Sequence, residues 1–337
     1  MACWMPLRRT YAPAERLLLF GVLHGHAMRY RCFMTTESTF INLLRSFATD
    51  PAARGLLDDV AVIDMGDASL IITHDMMAEG VHFRSNANPA DVAWKLVASN
   101  LSDLAAKGAA PVGVLLGFML GDDAWDRAFA AGLEKALAHY DVALLGGDTV
   151  ANRGDKRALG LTALGRATHR PVPSRSGAQI GDILYVTGML GDALAGFELM
   201  EAGFDKIGPL ADAFNRPQAR LSDGQALAPF VTAMMDVSDG LLLDAERLAT
   251  ASQIGIQIDL GCVPLSPLYI SYRTDSLESR LQAASWGDDY QLLFTARPGV
   301  TLSVQATAIG SVLSGGGLTL KDGVHPVKLP PMLGYQH

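Results

Sequence analysis

Seven aspartates close or punctuate apolar runs scattered over most of this 337-residue chain, and any fold it adopts has to place them. Asp58 and Asp59 end Leu-Leu-Asp-Asp, Asp75 ends Leu-Ile-Ile-Thr-His-Asp, and Asp148 ends Ala-Leu-Leu-Gly-Gly-Asp. Asp236 and Asp239 fall in Met-Met-Asp-Val-Ser-Asp-Gly, and Asp103 sits inside an apolar helix pattern. One such residue carries little meaning. Several at the ends of different core strands point to a carboxylate cluster. Carboxylate is the preferred protein ligand of Mg²⁺, which fills the rest of its shell with water and phosphate oxygens. A set of ions gripping polyphosphate is the chemistry this pattern suggests.

The length allows two domains with an ample core. Apolar residues make up 49% and charged residues 18%, the balance of a globular chain. A net charge of −8 argues against a nucleic-acid surface, and it means that phosphates need metal ions or backbone donors to be held. Cys3, Cys32 and Cys262 have neither metal spacing nor a disulfide framework, so a reducing, cytoplasmic location is expected. No apolar run approaches the ~20 residues of a membrane span. Residues 1–33 are basic and acid-poor, which suits either a targeting peptide or a dispensable extension. Met34 followed by Thr-Thr-Glu-Ser resembles a start with a capping box opening a helix over residues 39–48, so an extension is the expectation.

From residue 60 the pattern is α/β. Strands are expected over residues 60–64, 69–73, 112–120, 142–145 and 159–166, with helices over 89–107, closed by Gly108, and 123–139. The connector Pro171-Val-Pro-Ser174 marks a domain boundary, giving units 34–170 and 171–337. The second unit reads as strand 183–187, helix 192–201, helix 224–231, strand 232–236, helix 241–252 and strands 256–260, 292–296 and 306–309. Ser314-Gly-Gly-Gly317 is expected to be a hairpin turn, because no helix follows it.

Asp236-Val-Ser-Asp-Gly240 joins an apolar strand to a helix, where free N–H groups and the helix dipole can seat a phosphate; alternatively Ser238 or Asp239 simply caps the helix. Gly146-Gly-Asp148 is either a close approach to a ligand or an ordinary turn. Asn100, Asp103 and Lys107 share one helical stripe, which is either a solvated face or a polar line in a buried helix. A carboxylate on such a buried helix costs several kcal/mol unless it is paired or metal-bound. His82 can be structural or functional, and Arg175 a surface residue or a phosphate clamp. There is no Walker-type loop, no kinase glycine loop and no nucleophile elbow, so any ATP chemistry must run through metals and turn amides.

Taken together, ordered stretches between about residues 37 and 310 resemble thiamine-monophosphate kinase, in the superfamily of aminoimidazole ribonucleotide synthetase. They are Asp58-Asp-Val-Ala-Val, Thr73-His-Asp-Met-Met-Ala-Glu-Gly-Val-His-Phe, Asn100-Leu-Ser-Asp-Leu-Ala-Ala-Lys-Gly-Ala, Leu145-Gly-Gly-Asp-Thr, Arg175-Ser-Gly-Ala, Gly181-Asp-Ile-Leu-Tyr-Val-Thr-Gly, Asp236-Val-Ser-Asp-Gly and Gly287-Asp-Asp-Tyr. The resemblance implies an α/β protein with an N-terminal mixed-sheet dimerisation domain, a C-terminal α/β domain and ATP between them. It implies Asp59, Thr73, Asp75, Asp103, Asp148, Asp236 and Asp239 as Mg²⁺ ligands. Gly147, Asp148, Arg175 and Ser238 are implied along ATP, and His82 and Asp288 at thiamine monophosphate. It also implies a homodimer. Leu57, His74, Trp286 and Asp288 depart from the family pattern, and the chain stops at Gly334-Tyr-Gln-His337 where a stacking aromatic usually follows, leaving Tyr335 or Trp286 for that role. The implied reaction is in-line phosphoryl transfer without a general base, because a phosphate with a second pKa near ~6 is already a nucleophilic dianion at neutral pH. Another ATP-using enzyme of the superfamily, or a non-catalytic nucleotide- or metal-binding protein, remains the alternative.

Overall fold

The computed structural model describes residues 36–154, 156–204 and 208–335, so the expected extension over 1–33 lies outside the described residues. The described residues from Glu37 onward form one compact unit. In chain order the elements are α1 (Glu37–Arg45), β1 (Ala61–Asp64), β2 (Ser69–Ala78), α2 (Pro89–Ala105), β3 (Ala109–Leu120), α3 (Asp123–Tyr140), β4 (Leu144–Ala151) and β5 (Ala158–Ala167). There follow β6 (Ile183–Thr187), α4 (Asp192–Glu201), α5 (Gly208–Asn215), α6 (Leu221–Leu227), β7 (Val231–Asp236), α7 (Leu241–Ser252) and β8 (Gly255–Asp259). The chain continues through α8 (Pro267–Arg273), α9 (Leu277–Ser285), β9 (Leu292–Ala296), β10 (Ala306–Leu313), β11 (Gly317–Asp322) and β12 (His325–Val327).

Two mixed sheets result, ordered β1-β2-β5-β3-β4 and β12-β11-β8-β10-β6-β9-β7. Helices α2 and α3 cover the first through Leu96, Leu101, Leu104, Phe129 and Leu133. The second sheet buries alternate residues on opposite sides, as the period of two requires. Ala233 and Met235 enter the core shared with α4, α7 and α9. Met234 turns the other way, toward Ala105 and Ala106 at the end of α2. Helix α2 therefore runs from one sheet to the other. Pro89 at its first turn and the Asn88 side chain, which accepts from Ala90 N–H, start it. Its last thirteen positions are almost all buried, including Lys95, Asn100, Ser102 and Asp103, as befits a helix enclosed on all sides.

The structure corrects several expectations. Gly146 and Gly147 lie inside strand β4, which continues to Ala151, rather than in a turn after it. A Cβ on Gly147 would meet the Leu116 carbonyl oxygen at 1.9 Å, so the glycine serves the approach of β4 to β3. β2 runs five residues beyond the expected end and carries Asp75 within it. Ser314–Gly317 does not close a simple hairpin: β10 pairs antiparallel and β11 parallel with β8, which sits between them. Glycines signal the reversal and not which strand lies between the arms. Helices α5, α8 and α9 are additional, and the helix expected over 224–231 instead spans Leu221–Leu227. Short helices whose stability comes from packing leave a weak periodic signal.

Candidate active site

The carboxylates converge at the C-terminal end of α2. Side-chain oxygens of Asp59, Asp103 and Asp236 all lie within 4.8 Å of one another. Each is fixed by a neighbour. Thr73 Oγ1, from β2, donates to Asp103 Oδ2 at 2.5 Å. Ser102 Oγ donates to Asp236 Oδ2 at 2.6 Å. Asn100 Oδ1 accepts the Asp75 N–H at 3.0 Å, locking the strand that carries Asp75 against the helix. Arg175 forks onto both oxygens of Asp59. Lys107 Nζ reaches Asp58 at 2.6 Å and Asp59 at 3.2 Å.

The electrostatics show a site short of positive charge. Burial pushes Asp75 up to about 6, with the Asp239 charge adding to it. Asp103 is pushed well above the carboxylate range by burial and by Asp75 and Asp236. Asp236 is raised by burial, and Asp75 opposes its ionisation further. Asp58 goes the other way: burial would raise it, but Lys107 and Arg54 hold it at about 2. Asp236 Oδ1 is buried and has no hydrogen-bond partner. A buried, unpartnered carboxylate oxygen demands a cation or donor. Octahedral Mg²⁺, with oxygens at about 2.1 Å, brings its ligands roughly 3 to 4 Å apart, which the trio's spacing accommodates. The donor set fits a divalent ion.

The turn after β7 differs from expectation. The Ser238 and Asp239 amides are not free for phosphate, and neither of those side chains caps α7. The Ser238 and Asp239 N–H groups both donate to Asp244 Oδ2, at 3.1 Å each. Arg247 Nη1 then clamps Asp239 at 2.6 Å and Asp244 at 3.0 Å. Burial lifts Asp244 to about 7, Arg247 pulling down and Asp239 pushing up. Asp244→Ala leaves two amides and a guanidinium short of a partner. It should cost about 2–4 kcal/mol, read as a lower Tm, and slow turnover at fixed Mg²⁺. Asp244→Asn, which keeps an acceptor, should recover most of both.

Beside the cluster lies a cavity of about 360 Å³ lined by His82, Arg84, Asn86, Lys95, Met200 and Phe214, among others. His82 Nδ1 accepts the Ala78 N–H at 3.0 Å, so a neutral His82 carries its proton on Nε2. Lys95 Nζ sits 3.7 Å over the Phe214 ring and pairs with Asp288 at 2.9 Å. Asp288 takes a positive φ of 68° and donates its N–H to the Ser238 carbonyl at 2.8 Å. Tyr290 N–H bonds the Val237 carbonyl at 2.8 Å, so residues 288–290 lie along the 237–238 backbone. Gly287 allows this approach, since a Cβ there would fall 2.3 Å from the Ser238 carbonyl oxygen. The wall of the cavity is thereby fastened to the carboxylate site.

The structure thus gathers Asp59, Thr73, Asp75, Asp103, Asp236, Asp239, Arg175 and Ser238 in one region, with His82 lining the cavity and Asp288 paired with Lys95 in its wall. It does not bring Asp148 there. β4 is the exposed edge of the first sheet, three strand spacings from β2, roughly 14 Å along the sheet. Asp148 accepts its neighbour's N–H, from Thr149. Lys95, Ser102, Asp244 and Arg247 were not anticipated. Lys95 and Ser102, seven residues apart, share one face of α2, roughly a third of a turn round from the Asn100–Asp103–Lys107 stripe, and their only signal is two polar residues in a largely apolar helix.

Residues 57–167 match the family model described as AIR synthase related protein, N-terminal domain, and residues 179–321 match its C-terminal domain counterpart. The thiamine-monophosphate kinase of Caulobacter vibrioides is 36% identical over 86% of this chain and 86% of its own length. That of Escherichia coli K12 is 37% identical over 72% and 75%. A solved structure described as AaThiL complexed with AMPPCP and TMP superposes with a TM-score of 0.80 at 30% identity, covering 90% of this chain and 97% of the other. With this extent of likeness over both sheets, the chain belongs to the thiamine-monophosphate kinase family.

Proposed function

We propose that this chain transfers the γ-phosphoryl group of ATP to the phosphate of thiamine monophosphate, giving ADP and thiamine diphosphate, with Mg²⁺ at Asp59, Asp103 and Asp236 and with Thr73, Asp75 and Asp239 around it. The observation that carries the metal assignment is the orphaned Asp236 oxygen within the carboxylate trio. Kinship with enzymes named for this reaction, and with a structure holding AMPPCP and TMP, supports the substrates. Bound Mg²⁺ supplies charge that offsets the repulsion between two polyanions and steadies the transferring group. The chain's own part is placement. Arg175 lies beside Asp59, a position suited to clamping a triphosphate near the carboxylates. His82 lines the cavity, and Lys95 in its wall pairs with Asp288. An acceptor phosphate oxygen attacks the γ-phosphorus while the bond to the β-bridging oxygen breaks and its electrons stay on ADP. No side chain has to remove a proton, since the acceptor is already a dianion near neutral pH.

A homodimer and a cytoplasmic location belong to the same reading. Support for the first is strand β4, an exposed edge carrying Leu144, Leu145 and Val150 next to exposed Val112, Leu115 and Leu120, a surface that invites pairing. For the second, Cys262 is a free thiol, and among the described residues no helix is long and apolar enough to cross a membrane. The domain boundary falls at Pro171–Ser174 in this reading.

Incubation with Mg²⁺, ATP and thiamine monophosphate should yield ADP and thiamine diphosphate in equal amounts. ADP without thiamine diphosphate would rule the reaction out. Asp288→Ala should raise KM for thiamine monophosphate by about tenfold and leave that for ATP within about twofold. An equal rise in both would detach Asp288 from the acceptor cavity.

A further inference from the structure

Lys107 is the one fully buried cation in contact with the cluster among the described residues, and nothing in the reaction requires it to touch a substrate. Its side chain has 0% exposure, whereas those of Arg54, Arg175 and Arg247 retain 19%, 15% and 28%. We propose that Lys107 is a built-in counter-charge: a positioning residue that assembles the carboxylates before any divalent ion arrives and limits how tightly that ion is held. This rests on the Mg²⁺ reading given above.

An ammonium has three donors, and those of Lys107 match three acceptors. They are Asp58 Oδ1 at 2.6 Å, Asp59 Oδ2 at 3.2 Å and the Met234 carbonyl at 3.2 Å. These acceptors come from the segment before β1 and from β7, while Lys107 itself follows the helix that bears Asp103. One charge therefore ties three of the chain segments that furnish the carboxylate trio. Burying an ammonium is expensive, and an apolar side chain of similar volume would fill the same space at less cost. What the apolar chain could not do is oppose the mutual repulsion of Asp58, Asp59, Asp75, Asp103, Asp236 and Asp239. Because Lys107 cannot swing to solvent, its charge is felt equally with and without metal. It preserves the empty arrangement and subtracts from the attraction for an incoming cation.

The test uses the full chain without nucleotide, with Mn²⁺ as the probe followed by electron paramagnetic resonance. Lys107→Met should bind Mn²⁺ at least about fivefold more tightly, since a unit charge within a few ångströms of a divalent ion is removed in a poorly screened site. Its Tm in chelator should be lower than that of the unaltered protein, and Mg²⁺ should raise its Tm by more. Asp58→Asn changes the charge in the opposite sense and should weaken Mn²⁺ binding at least about threefold, although Asp58 is outside the trio. If Lys107→Met does not fold, Lys107→Gln, which removes the charge and keeps a donor, takes its place with the same expected tightening. Binding by the unaltered protein with no change in either variant overturns the role of Lys107 and leaves the metal reading standing. Failure of the unaltered protein to bind Mn²⁺ overturns both.

Discussion

Replacing Asp236 by asparagine should yield a well-folded protein whose kcat has fallen at least about a thousandfold, because a metal contact to a transferring phosphoryl group is worth several kcal/mol. Asparagine is nearly isosteric, and its amide oxygen can still accept the 2.6 Å hydrogen bond from Ser102. In that orientation its NH₂ group occupies the place of the oxygen that has no partner in the protein. An acceptor that a cation would use becomes a donor that repels it. Stability should move the other way. Burial and the Asp75 charge make the ionised Asp236 unfavourable in the folded state, so the folded pKa lies above the unfolded value and the carboxylate destabilises the metal-free protein at neutral pH. The variant's Tm in chelator should therefore equal or exceed that of the unaltered chain, while the gain in Tm on adding Mg²⁺ shrinks. Near-normal turnover at limiting Mg²⁺ would contradict the assignment.

A comparably large effect, this time on stability, is expected from Gly224→Ala. Gly224 lies in α6 against the end of α2, where an added Cβ would fall 1.9 Å from the Ala105 carbonyl oxygen, 2.7 Å from its carbonyl carbon and 3.1 Å from its Cα. All three atoms are main chain, so no side-chain rotation relieves the clash, and α6 must retreat from Ala105, Ala106 and Met234. Overpacking of this kind costs about 3 kcal/mol or more, or roughly 5 °C or more in Tm for a chain of this size. Lys107 and Asp103 lie on the turns of chain beside this contact, so activity should fall as well. Gly316→Ala is the matched control. Nothing lies within 4 Å of its added Cβ, and its Tm should stay within about 1–2 °C. Thermal melts of the two variants, followed by circular dichroism, check the pair.

Much of this was written in local sequence pattern. The apolar runs before Asp75 and Asp236 are strands, and Pro89 opens a helix that ends near Gly108. Asp103 could be flagged because a carboxylate on an apolar helix needs a partner, and it has Thr73 and the trio. Tertiary choices were not legible. Ser238 and Asp239 look like capping residues or amides awaiting phosphate, and only the fold reveals that Asp244 has already taken both N–H groups. Gly146 and Gly147 look like a turn, yet both lie in a strand, and Gly147, with a φ of 148°, is squeezed against the Leu116 backbone of the neighbouring one. Asp148 follows the same local rule as Asp75, but strand order carries it to the sheet edge. A side chain's residue type and spacing are local properties, while the partner that uses it up is set by packing between distant segments.

The dependence of the site on α2 has a consequence for how such a chain can change over time. Asn100, Ser102 and Asp103 occupy a single helical turn and hold Asp75, Asp236 and Thr73. Inserting one residue at position 98 or 99 would rotate everything downstream by about 100° and shift it by 1.5 Å, disengaging every one of those partners at once. The same insertion in the loop ahead of Asn88 disturbs none of them. Lengthening and shortening of relatives should therefore gather in the loops, and this turn should admit exchange of side chains while its spacing stays frozen.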